Sequence, residues 1–378
     1  MYLFLYMGDC LVTSYYSLYF IEKGASEAEQ SILLGLIPLA LTLGCLLMSP
    51  LAKSRARSLW LFRLCLLAEM GISIAYGFVS SFPALLALSI GIGFCNGAPF
   101  NFVEGYLIPL LKEKKAKFSF VRVFGTIGYL SSLIMGYFLL KVFPIAHCYF
   151  YAAGFFLLCV AVSFFFKANI SLEEDSENKQ QKPDENQKKP FWTKKLVAVL
   201  LSILLVFGSY NAFSYLFPIR LYELGVTSSE YSLFRAIGLV VEMAVMLMFP
   251  FLPSRYKNDD KKHNEVRILF GGILCMASCL VGIFLTNGIV LAIVSFSLAS
   301  AGKALFFGCL SMFLISYVDS DHLGKALSVN GAGMNLGTAA LNATSSTIYT
   351  SLGFASLFGI IAGLQIVGLF LFVFVTAS

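Results

Sequence analysis

Residues 100–129 read FNFVEGYLIPLLKEKKAKFSFVRVFGTIGY: two apolar runs joined by a short lysine-rich turn, with Glu104 in the first run and Arg122 in the second. With the turn centred near Glu113, each charge lies nine residues from it. In an antiparallel helical hairpin this spacing puts both side chains at one depth, about 13 Å from the turn at 1.5 Å per residue. A lone charge at that depth of a bilayer costs at least ~2.5–3.5 kcal/mol, so a pair facing the interior of a helix bundle is the expected arrangement. Such a pair either staples the hairpin or binds a ligand, and the charges alone leave both open.

The rest of the chain repeats the pattern of apolar run and short basic turn. Of 378 residues 58% are hydrophobic and 13% charged, and the mean hydropathy is +0.81, which excludes an ordinary soluble domain. Crossing ~30 Å of hydrocarbon takes about 20 residues of helix. Runs of that kind recur at 2–21, 30–50, 59–80, 83–110, 119–141 and 145–166, then at 196–218, 229–252, 266–286, 289–317, 325–350 and 353–376. The chain is therefore read as an all-α membrane protein with twelve transmembrane helices.

The loops at 52–58, 112–117, 188–195 and 254–267 are rich in lysine and arginine, whereas those on the other side are short and nearly uncharged. By this alternation both termini are expected to face the cytoplasm, and the expected location is a bacterial cytoplasmic (inner) membrane. The net charge of +6 then reads as orientation in a bilayer, and no nucleic-acid partner is expected. The opening MYLFLYMGDC has no basic segment and no small-residue cleavage site, so the first span is expected to stay. Nine cysteines fall almost entirely within apolar runs, where a thiol behaves as a small hydrophobe. His147, His263 and His322 lie near loops without metal-ligand spacing. No nucleotide-binding glycine loop and no catalytic constellation is present, so neither an enzyme nor an ATP-driven pump is expected, and no cofactor.

Residues 167–195 form the one long polar stretch, low in apolar residues and rich in charge, and are read as a cytoplasmic linker. It separates two six-helix bundles, 1–166 and 196–378. The halves echo each other: Glu22, Gly24, Glu29 and Ser31 recur as Glu223, Gly225, Glu230 and Ser232, and Pro50 and Arg55 recur as Pro250 and Arg255. Duplicated bundles in parallel orientation are the organisation of transporters that rock two halves around a midplane site.

This layout resembles the major facilitator superfamily over the whole chain. In the loop after the second helix, where that family reads G-x-L-A-D-R-x-G-R-R, this chain has SPLAKSRARS, keeping Leu51, Ala52 and Arg57 but placing Lys53 at the aspartate position. The fifth helix, GTIGYLSSLIMGY, lacks the glycine-proline signature of drug antiporters, which counts against efflux. Gly97, Ala98, Pro99 and Glu104, followed by Phe120, Arg122, Phe124, Gly125, Gly128 and Tyr129, resemble the oligosaccharide–proton symporters of the lactose permease type. That resemblance implies that Glu104 and Arg122 hold sugar hydroxyls and that Tyr129 stacks on a ring. The run RVFGTIGY is also similar to the nucleoside–proton symporters, which adds Thr126 to the substrate-binding set. Asn211 in the seventh helix and Glu242 in the eighth match positions of that second group, while the tenth helix offers Lys303 in place of the His and Glu of the lactose permease type.

Among the helices that border the central cavity in the superfamily there are three anions, Asp9, Glu104 and Glu242, and two cations, Arg122 and Lys303. One carboxylate is left over and can carry a proton. Glu242 and Asp9 are the proton-coupling candidates, since Glu104 has Arg122 at matched depth. Glu69 and Arg63 in the third helix read as a local i, i+6 arrangement near a membrane interface, and Tyr210 as packing. The expected function is a monomeric, proton-coupled symporter that imports a small hydroxylated solute such as a sugar, glycoside or nucleoside. Two other readings stand beside it: an importer of an organic anion held by Arg122 and Lys303, and a membrane sensor on the same fold that does not transport.

Overall fold

The computed structural model describes residues 1–52, 54–113, 118–166, 192–248, 271–272, 288–315 and 323–377, and side chains at all of these except 55, 105, 108–109, 111–113, 118–122, 307–315, 323–328 and 375–377. Among these residues every regular element is a helix. In chain order they are α1 (Tyr2–Thr13), α2 (Tyr16–Glu22), α3 (Glu27–Met48), α4 (Arg55–Phe78), α5 (Phe82–Glu113) and α6 (Phe118–Leu139). After these come α7 (Ala146–Ser163), α8 (Lys194–Glu223), α9 (Ser228–Met248), α10 (Ile289–Ile315) and α11 (Leu323–Ala377). Eight of them are long and apolar enough to cross a membrane, and α1 and residues 123–139 of α6 form shorter apolar helices.

Three expected spans differ from separate plain rods. The first, 2–21, is broken into α1 and α2 at Ser14 and Tyr15, the latter at φ −114 and ψ 5. Adjacent hydroxyls compete with the helix ladder there: Thr13 Oγ1 donates to the Asp9 carbonyl at 2.9 Å, and Ser14 Oγ is engaged with the Tyr129 hydroxyl at 3.1 Å. The last two spans, 325–350 and 353–376, run together as α11, whose one non-helical residue is Gly353 at φ 79 and ψ 168. The ninth expected span, 266–286, lies outside the described residues apart from Gly271 and Gly272. So do Lys53, the basic loop at 254–267, Pro250, Arg255 and most of the expected linker, 167–191.

The sequence echo between the halves is a repeated turn. After α2, Ala25 N–H bonds to the Phe20 carbonyl and Gly24 N–H to that of Ile21; after α8, Val226 bonds to Leu221 and Gly225 to Tyr222. Both are helix ends closed by a left-handed glycine. Each is followed by a capping box. Glu29 takes the Ser26 N–H at 2.8 Å while Ser26 Oγ takes the Glu29 N–H at 3.3 Å, and Glu230 and Thr227 repeat the exchange at the same two distances.

By packing, the described chain forms two compact units. The first holds Met1–Ser14, Ala40–Ser132 and Ala146–Phe191. Within it α4 packs on α5 and α7, and α1 on α7. Glycines set the close crossings: a Cβ on Gly44 would run into the Phe94 carbonyl, one on Gly97 would meet Cys45 Sγ at 2.6 Å, and on α6 Gly125 and Gly128 seat Tyr6 and the Leu3 backbone of α1. The second unit holds Tyr15–Leu39, Leu133–Ile145 and Trp192–Ser378. There α8 and α11 approach backbone to backbone at Gly208 and Gly337, Thr338 Oγ1 donates to the Gly208 carbonyl at 3.3 Å, and Ser202 Oγ donates to that of Gly368 at 2.7 Å. In lipid, burying one apolar helix against another gains little, so close packing of small residues and interhelical hydrogen bonds, the latter averaging ~0.6 kcal/mol each, hold such helices together. Large exposed apolar side chains, among them Leu47, Trp60, Phe78, Phe165 and Phe370, suit lipid tails.

The unit boundaries cut through α3 and α6 because the ends of those helices nearest the repeated turn are packed on the later helices of the second unit. Ser31 Oγ meets Ser345 Oγ at 2.9 Å, Asn342 Nδ2 donates to the Leu34 carbonyl at 3.1 Å, and Gly35 seats Ala343. Ser232 Oγ bonds to the Leu133 carbonyl at 3.0 Å and to the Tyr15 hydroxyl, and Ser17 Oγ donates to the Tyr215 carbonyl. Ser31 and Ser232 are echo positions, and each makes the contact for its own half.

Candidate functional site

In the first unit the expected residues of α1, α5 and α6 fall into two groups. Glu104 on α5 is half-buried, and its Oε1 accepts a hydrogen bond from the Tyr2 hydroxyl of α1 at 2.9 Å. Tyr2 stacks on Tyr6 at 5.6 Å between centroids, and Tyr6 presents its edge to Phe100 at 5.0 Å. Tyr129 on α6 is tied to α1 at both ends of the residue, its hydroxyl to Ser14 and its carbonyl to Cys10 Sγ at 3.4 Å. Thr126, one turn earlier, is half-buried. Arg122 belongs to α6, and its side chain lies outside the described set, as does the meeting of Glu104 with Arg122 expected from the hairpin.

The second group centres on Asp9, whose Oδ1 accepts from Asn96 Nδ2 of α5 at 2.9 Å. Close by on α4 is Glu69, 1% exposed and within electrostatic reach of Asp9. The i, i+6 arrangement of Glu69 with Arg63 is not formed. The Arg63 guanidinium instead donates to Ser163 Oγ at 2.8 Å and to its carbonyl at 2.7 Å, and lies over the Phe164 ring. Six residues turn a helix through about 600°, which leaves side chains at that spacing about 120° apart around the axis and off a common face.

In the second unit Glu242 on α9 and Lys303 on α10 form an ion pair at 3.0 Å, with 13% and 31% of their side-chain surface exposed. Tyr210 on α8 is buried beside them and within electrostatic reach of both and of Arg235. Arg235 itself donates to the Tyr231 hydroxyl at 2.9 Å. Asn211, next to Tyr210, is half-buried. Tyr210 and Glu69 are polar groups that the sequence reading set aside, and Tyr2 and Asn96 ones that it did not single out; placing any of them needs knowledge of which helix face meets which neighbour. A separate cavity of about 200 Å³, lined by Glu27, Gln30, Ser31, Glu223, Tyr349 and Phe354, lies among the contacts near the repeated turn, and none of the expected site residues reaches it.

Comparisons with known proteins bear on the same chain. The family model of the Major Facilitator Superfamily matches residues 1–296. The structure of the nucleoside transporter NupG superposes with a TM-score of 0.77 at 15% identity, covering 100% of this chain and 98% of that one. The inward-open xylose transporter XylE from E. coli superposes at 0.72 and 16% identity, covering 98% and 92%. A bacterial homologue of the human lysosomal transporter Spinster does so at 0.72 and 11%, covering 100% and 95%. No curated protein matches in sequence. The identities are low enough that the three structures speak for the fold alone. The family match spans more than half of the chain: the chain belongs to the Major Facilitator Superfamily.

Proposed function

We propose that the protein is a proton-coupled symporter of the bacterial inner membrane that imports a small hydroxylated solute, a sugar, glycoside or nucleoside, by alternating access. One observation carries the substrate class: Glu104 accepts a hydrogen bond from the hydroxyl of Tyr2. A carboxylate that already accepts an O–H at 2.9 Å can exchange that phenol for a hydroxyl of a sugar or ribose at little cost. Arg122, Thr126, Tyr129 and Asn211 complete the proposed binding set. Arg122 supplies a planar fork of donors, Thr126 and Asn211 polar groups, and Tyr129 a ring face. Nucleosides and xylose, the solutes for which two of the compared transporters are named, are hydroxylated.

The anion-importing alternative draws less support. Lys303 is held by Glu242 at 3.0 Å, so a substrate carboxylate would have to displace an existing partner. With Glu242 matched to Lys303, Asp9 becomes the favoured coupling carboxylate of the two candidates. Alternating access is supported by the contacts of Ser31, Leu34, Tyr15 and Leu133 with the later helices, which are neutral hydrogen bonds that can break and re-form. With both termini taken as cytoplasmic, these contacts lie on the outer side.

A thermal-shift series on the purified protein with D-xylose, methyl glucosides, uridine, adenosine and benzoate tests the substrate class, since a ligand of the folded state stabilises it by mass action. Stabilisation by a hydroxylated neutral solute agrees with the reading. Stabilisation by benzoate alone contradicts it.

A further inference from the structure

α4 carries a carboxylate that substrate binding leaves unused. Glu69 is 1% exposed, and its Oε1 has no hydrogen-bond partner among the described residues. One turn on, at i+4 and so on the same face, Ser73 is fully buried, and its hydroxyl also lacks a partner among the described residues. Buried polar atoms left this way in a native fold call for an explanation.

Among the described residues, the groups within electrostatic reach of Glu69 are Asp9 from α1, Cys95 from α5, Cys159 from α7 and Cys65 from its own helix. None is a cation, and Arg63 is turned away to Ser163 and Phe164. Two ionised carboxylates within electrostatic reach of each other in such a setting repel and each lose hydration; one proton on the pair removes a charge and creates a donor. The hydrogen bonding decides which residue bears it. Asn96 donates to Asp9 Oδ1 and so favours Asp9 as the anion, whereas Glu69 Oε1 receives nothing from the described residues. Among the described residues no three of His, Cys, Asp and Glu converge as a metal site.

We propose that Glu69 and Asp9 form a proton-binding site that holds one proton at neutral pH, borne by Glu69, with Ser73 as the next hydroxyl on the same helix face. Its role in transport rests on the proton-coupled reading above. The occupancy itself does not, because it follows from burial and partners alone.

Infrared difference spectroscopy of the full chain in liposomes, in light and heavy water at neutral pH without substrate, reads the carbonyl stretch of a protonated carboxylic acid. The expected result is an isotope-sensitive carboxylic acid band in the wild type that is lost in Glu69→Gln and kept in Asp9→Asn. A wild-type spectrum without the band overturns the proposal, whether or not any variant folds. So does a band that survives in Glu69→Gln, or one that sodium chloride abolishes at constant pH, which would make the site a sodium site. A missing band leaves the symport reading standing, while a lack of uptake driven by a pH gradient would sink symport and leave a protonated Glu69.

Discussion

Gly24 and Gly225, 201 positions apart in sequence, hold the same left-handed backbone, with φ of 75° and 84°. Nothing lies within 4 Å of a Cβ added at either, so an alanine there would pay only for its backbone, about 1–2 kcal/mol. Gly24→Ala and Gly225→Ala should therefore lower the melting temperature in detergent by similar amounts, and the asparagine variants by less, since asparagine tolerates this conformation. A large difference between the two alanine variants would show that the repeated turns do not carry equal weight.

Ser31 and Ser345 face each other at 2.9 Å between hydroxyl oxygens. If alternating access requires this contact to part, Ser31→Cys combined with Ser345→Cys should stop uptake under oxidant and regain it with reductant. Each single cysteine should transport under both conditions. Uptake by the oxidised double variant, with the crosslink demonstrated by mass spectrometry, would argue against movement at this contact.

The Lys303–Glu242 pair should behave as a partly buried ion pair. Removing one member leaves a charge uncompensated, which costs ~3–5 kcal/mol for fully buried pairs, whereas replacing both is often neutral. Lys303 retains 31% of its side-chain surface, so the loss here should fall below that range. Lys303→Met should lower the melting temperature, and Lys303→Met with Glu242→Leu should restore most of it. A double variant no better than the single would mean that the two residues are not coupled.

What the sequence makes legible follows from period and repetition. Apolar runs long enough to cross a bilayer mark the spans directly, and the recurrence of Glu-x-Gly before Glu-x-Ser marks two turns that share backbone bonds and capping boxes. Local competition is harder to read. Nothing in LVTSYYS announces that Thr13 and Ser14 will part α1 from α2, because serine and threonine also sit inside unbroken transmembrane helices. Glu69 is harder still. An arginine six residues away suggests a local pair, and only the packing of α5 and α7 on α4, with α1 on α7, shows that the carboxylate is buried within electrostatic reach of Asp9. Tyr210 is one of 18 tyrosines and carries no local mark of its position next to an ion pair.

Glu104 and Arg122 offer a choice between binding and stapling that mutation can decide. If they bind substrate, Arg122→Lys should abolish uptake with normal membrane insertion, because lysine keeps the charge and loses the planar fork. If they staple α5 to α6, Arg122→Lys should be tolerated, and so should Glu104→Gln together with Arg122→Met. A double variant that accumulates solute at the parental rate would remove both residues from the binding set.

The claim of proton-coupled import is tested most directly in proteoliposomes containing the wild-type protein, with an imposed inward proton gradient and labelled D-xylose or uridine outside. The account predicts accumulation above the external concentration for at least one of these solutes, abolished by a protonophore, with alkalinisation of the outer medium as the solute enters. Accumulation that ignores the proton gradient, or binding of the solute with neither uptake nor exchange, would contradict it.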